Sequence, residues 1–164
     1  MKSLVITDAA LAEVDALTAE AADYLARRLG GTPPLDPSAL PTDTAGKLAA
    51  INLWAGDDVA NWRQELTRWF EAHAPVRLVP DPEINRLLRK AARDGHKLAC
   101  ASALPATPLE LMLQQLGCGR ACTAVVAGDG SLTDAISGAR AALDDHQAPV
   151  VTTRAGLVAA LIAD

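Results

Sequence analysis

Lys97-Leu98-Ala99-Cys100-Ala101-Ser102 is an apolar run with no in/out alternation that ends in a hydroxyl. Two other runs share its form: Leu4-Val5-Ile6-Thr7-Asp8 and Ala124-Val125-Val126-Ala127-Gly128-Asp129. Continuous apolar runs of this length suit strands buried on both faces of a parallel sheet. In open parallel sheets, ligands bind at the carboxyl ends of the strands. Asp8, Ser102 and Asp129 are therefore expected at one rim, two carboxylates beside a hydroxyl.

The segments between these runs read as helices. Asp81-Pro82-Glu83 is an N-cap followed by proline at the first helical position. Ile84, Leu87, Leu88, Ala91 and Ala92 then form an apolar stripe that Gly95 ends. Thr107-Pro108-Leu109-Glu110 and Ser131-Leu132-Thr133-Asp134 both have the spacing of a capping box, predicting helices to Gly117 and to about Leu143. A last strand, 149–153, precedes a helix from Leu157 to Ile162. Strands alternating with helices predict an α/β fold with a Rossmann-like parallel sheet.

Between the first two runs the pattern changes. Asp15 is placed to cap a helix of about 15 residues carrying Leu17, Ala21, Tyr24 and Leu25 on one face, which Gly30-Gly31 stops. The stretch 32–46 holds four prolines and reads as a loop. Helices are predicted over about 46–55 and 57–73, the second capped by Asp57. This interval is too long for one crossover, so residues 16–75 form a small helical insertion in a core of residues 1–15 and 76–164. Trp54, Trp62, Trp69 and Phe70 all lie within it, and the expectation is that they pack as a small core of their own.

With 164 residues, half of them hydrophobic and 21% charged, the chain should form one globular domain. A net charge of −5 and the lack of a Lys/Arg stripe argue against nucleic acid as a partner. No run approaches membrane-spanning length, and the amino-terminal stretch does not read as a signal peptide. Three cysteines without a CxxC pair, and three scattered histidines, lack zinc-site spacing. A reducing, cytoplasmic setting is the simplest expectation.

In order along the chain, these features resemble the haloacid-dehalogenase-like superfamily. The strand ending in Asp8 resembles its first motif, Ser102 its second, and Gly128-Asp129 with Asp134 its acidic fourth motif. The helical insertion stands where one large subclass carries a cap. The resemblance implies a reduced form of that core, with Asp8 as the nucleophile toward phosphorus and Ser102 bonding the phosphoryl oxygens. It further implies Mg²⁺ held by Asp8 and Asp129, with Asp134 as a further ligand, and a cap that closes over a small phosphorylated substrate.

The chain departs from that pattern at two places. Ala10 stands where the family's phosphatases carry a general acid, and no lysine lies between Ser102 and Asp129, where Arg120 is the candidate stand-in. Lost acid/base catalysis alone is worth about 10²–10⁴-fold. A catalytically impaired binding or regulatory protein is thus expected, partnered by a protein or a small phosphorylated molecule, with self-association through an open sheet edge as a further route. The alternative is an active Mg²⁺-dependent phosphomonoester hydrolase in which Asp15, Glu13 or a cap residue replaces the acid. A receiver-like or nucleotide-binding domain is a third reading, although no Walker loop or GxGxxG run occurs. The same residues also have plainer roles available: Asp129-Gly130 is a common turn dipeptide, and Asp134 completes the box with Ser131.

Overall fold

A computed structural model describes residues 2–163. Four parallel strands, β1 (Ser3–Thr7), β2 (Lys97–Ser102), β3 (Ala124–Ala127) and β4 (Val150–Val151), form one sheet in the order β3-β2-β1-β4. The architecture is α/β with a Rossmann-like parallel sheet. The chain builds outward from β1 to β3, then crosses back to the other side of β1. That reversal places a topological switch point beside β1.

Two of the apolar runs are buried as their lack of alternation predicts, since β1 and β2 occupy the middle of the sheet. The outer strands differ. β3 and β4 are half-buried, Val125 is 41% exposed, and only Val150 and Val151 pair with β1. An edge strand has one neighbour, and its apolar character then reflects one packed face.

Among the described residues, seven α-helices surround the sheet. They are α1 (Val14–Arg28), α2 (Thr44–Ala55), α3 (Trp62–Arg77), α4 (Pro82–Arg93), α5 (Ala106–Leu116), α6 (Leu132–Ala142) and α7 (Arg154–Ile162). α4 starts as its sequence predicts, with the Asp81 carboxylate accepting from the amides of Glu83 and Ile84. Ser131 caps α6 by accepting from the Asp134 amide. α5 begins one residue before Thr107, after an extended Pro105, so the expected Thr107 box does not form. Nor does Asp57 cap α3, because the chain continues in turns as far as Asn61.

The two faces of the sheet are covered unequally. α6 covers one of them, placing Ala135, Ala139 and Leu143 against Val5, Ala99 and Ala101. Small residues on both sides let helix and sheet approach closely. On the other face, Leu4, Ile6 and Cys100 join a cluster that also contains Trp62, Trp69 and Phe70. The insertion's buried aromatics therefore share the main core instead of forming their own. Trp69 and Phe70 meet edge to face at 5.4 Å, and α3 packs on both α1 and α5.

Candidate functional site

The register of the central strands builds the site. Thr7 pairs with Ala101, so the next residues, Asp8 and Ser102, emerge side by side where β1 and β2 end. Asp8 then opens a short 3-10 turn, Asp8–Ala10. Its carboxylate accepts a hydrogen bond from the Ser102 hydroxyl and is also engaged by the Ala9 amide. The Ser102 oxygen in turn accepts from the Leu104 amide at 3.0 Å. Asp8 is 5% exposed and Ser102 fully buried. Burial pushes the Asp8 carboxyl above the usual aspartate range, the Ser102 hydroxyl opposes that rise, and nearby Asp15 adds to it. Ala10, two residues on, is buried and apolar.

A second polar group lies beside the first. Asp15 does not cap its own helix, which starts at Val14 with no side-chain cap. Its carboxylate reaches the head of α2, accepting from the Thr44 amide at 2.8 Å and the Thr44 hydroxyl at 2.7 Å. The Thr18 and Thr44 hydroxyls meet at 3.1 Å. Lys47 of α2 turns inward and donates to the backbone carbonyls of Asp15 and Thr42. Burial lowers its ammonium below the usual lysine range, opposed by Asp15 and Asp43. Sequence reasoning missed Lys47; its one signal is a lone lysine within the apolar run of α2.

The remaining expected site residues are elsewhere. Asp129 follows β3, and β2 lies between it and β1, a separation of roughly two strand spacings, about 10 Å at the backbone. Its carboxylate, half exposed, is held by the Arg63 guanidinium of α3 at 3.0 and 3.1 Å. Arg63 also donates to Asn52 and lies 4.4 Å from the ring centre of Trp62. Asp129 and Gly130 both adopt positive φ, +46° and +99°, which fits the turn-dipeptide reading. Asp134 sits in the first turn of α6. Arg120 lies in the turn before β3, at the amino end of the parallel sheet, whereas Asp8 follows β1 at the carboxyl end, and so it cannot replace the lysine there.

Asp8 and Asp129, the carboxylates that the resemblance assigns to Mg²⁺, are each held by other protein groups. The Asp8 carboxylate is enclosed by internal donors, and Asp129 is already neutralised by Arg63. Among the described residues, no three His, Cys, Asp or Glu side chains are grouped to hold a metal ion. α2 also packs against the turn that follows β3: a side chain on Gly130 would meet the backbone of Leu48 and Ala49 within 4 Å.

Cys100, Cys118 and Cys122 are free thiols. Burial pushes Cys100 well up, Cys118 to about 11 and Cys122 to about 12, so they remain protonated near neutral pH. Among the described residues, no helix is long and apolar enough to cross a membrane. No protein-family model and no curated protein matches this chain.

Proposed function

We propose that this chain is a binding or regulatory protein on a haloacid-dehalogenase-like scaffold, its phosphoryl-transfer site absorbed into the protein interior. One observation carries the reading: the Asp8 carboxyl is buried and bonded by Ser102, with Ala10 where a proton-transferring group would stand. A nucleophile must be reachable by phosphorus, and a general acid must reach the leaving group. The burial of Asp8 and the methyl group of Ala10 count against both.

The partner in this reading is a protein rather than a phosphorylated small molecule, because Asp8 and Ser102 are buried and α2 packs between Asp15 and the turn after β3. A cytoplasmic setting belongs to the same reading and is supported by three free thiols. The test is a panel of phosphomonoesters assayed with Mg²⁺, comparing the protein with its Asp8→Asn variant. Equal, background-level rates are expected. Turnover that requires Mg²⁺ and disappears in Asp8→Asn would overturn the proposal in favour of an active hydrolase.

A further inference from the structure

We infer that the groove between α4 and the open edge of β3 docks an extended, acidic segment of a partner protein. The groove encloses about 1540 Å³. That exceeds the roughly 300–1,000 Å³ typical of small-molecule sites and suits a length of polypeptide. One side ends at β3, which pairs only with β2 and has a free main-chain edge. Val125 presents an apolar floor there, 41% exposed.

The opposite wall is basic. Arg86, Arg89 and Arg93 recur at i, i+3 and i+7 along α4, and Arg120 joins them from the turn before β3. Among the described residues, none of these four side chains forms a hydrogen bond or a close ion pair, and Arg93 acts only at longer range on Asp94 at the end of α4. Elsewhere, Arg63, Arg68, Arg77 and Arg154 each hold a carboxylate. Glu110 is the one acidic residue lining the groove. Four arginines facing a single glutamate, in a chain of net charge −5, are a local inversion of sign.

Charge and shape together select the occupant. A segment pairing with β3 gains main-chain hydrogen bonds, and its alternate side chains point into the groove. Carboxylates at those positions meet the arginines, while the intervening short apolar side chains turn to the sheet face that α6 covers. Nucleic acid fits less well, because no aromatic side chain lines the groove for base stacking and the chain as a whole is acidic.

The probe is an acetylated peptide of four Glu-Val repeats, titrated at low salt against isotope-labelled protein. Amide shifts confined to Ala124–Ala127 and α4 are expected, with affinity falling as salt rises. The double variant Arg86→Glu/Arg89→Glu, with an unchanged circular dichroism spectrum, should weaken binding about tenfold or more. A peptide of Lys-Val repeats should not bind. Absence of shifts, or shifts mapping elsewhere, would overturn the assignment. So would tighter competitive binding of an oligothymidylate, or a concentration-dependent dimer abolished by Arg89→Glu, which would make the occupant a second copy. The phosphomonoester assay reads Asp8 and this titration reads α4 and β3, so the two proposals fail separately.

Discussion

Replacing Ser102 by alanine separates a structural from a catalytic Ser102. The hydroxyl makes two internal hydrogen bonds, one donated to the Asp8 carboxylate and one accepted from the Leu104 amide. A hydrogen bond to a charged group is worth about 1.5–3 kcal/mol, and a buried amide left without a partner costs about 1–3 kcal/mol. Ser102 is fully buried, so bulk water has no ready access to the vacated position. Ser102→Ala should therefore cost about 3–5 kcal/mol near neutral pH, out of a total that for domains is about 5–15 kcal/mol. Urea denaturation reads this as a lower midpoint with an unchanged slope. The cost should also depend on pH. Asp8 already has a raised pKa, so its favourable contribution is complete below the ordinary aspartate value and is lost as pH rises through the raised one. Removing the hydroxyl raises that pKa further, so the penalty should shrink in acid, where the carboxyl is neutral in both proteins. A penalty below about 1 kcal/mol that does not change with pH would refute the reasoning. That result would return Ser102 to an accessible rim, where a phosphate-binding role needs it.

Four further outcomes follow from the same structure. Gly128→Ala drives a methyl group into the Ser131 carbonyl oxygen, and denaturation should show a loss of about 1–3 kcal/mol. Asp15→Ala removes the acceptor at the head of α2 and should cost about 1–2 kcal/mol, visible as a Tm lower by roughly 2–8 °C. Iodoacetamide at neutral pH should label the three thiols far more slowly in the folded protein than in urea. Hydrogen exchange should find the central amides of α3 opening only with the sheet, and exchange of α3 well ahead of β1 and β2 would count against a shared core.

The sheet was readable where a run is buried on both faces. β1 and β2 match their expected limits closely, whereas β4 shrinks from five residues to two, Val150 and Val151, because Thr153 is taken up in capping α7. Caps were readable as chemistry but not always as geometry. Asp81 caps the helix that follows it, while Asp15, equally suited, reaches across 29 residues to Thr44. A capping-competent carboxylate advertises its acceptor; which amide it finds depends on tertiary packing. The same limit applies to the site. Asp8 and Ser102 were predictable as neighbours because adjacent parallel strands in register end together. Asp129 was not separable from them, since sequence order does not say on which side of β1 a later strand will dock.

The insertion decides what these residues can do. A cap that admits substrate must lift from the core, and the cost of lifting can be set from its burial. Leu48, Ile51, Trp62, Leu66, Trp69 and Phe70 are each at most 3% exposed. Exposing such side chains costs about 1.5–3 kcal/mol apiece. If half of that burial stays within the lifted segment, opening still costs about 5–9 kcal/mol, within the range of global unfolding. The Arg63–Asp129 pair and the contact of α2 with Gly130 would be lost as well. A lid with that energy is open in fewer than about one molecule in a thousand, and opening then competes with unfolding itself. Residues 44–77 therefore act as a core layer and not as a lid. The surface proposed for recognition lies at the other end of the sheet order, where β3 has one free edge and α4 lines a groove with Arg86, Arg89 and Arg93.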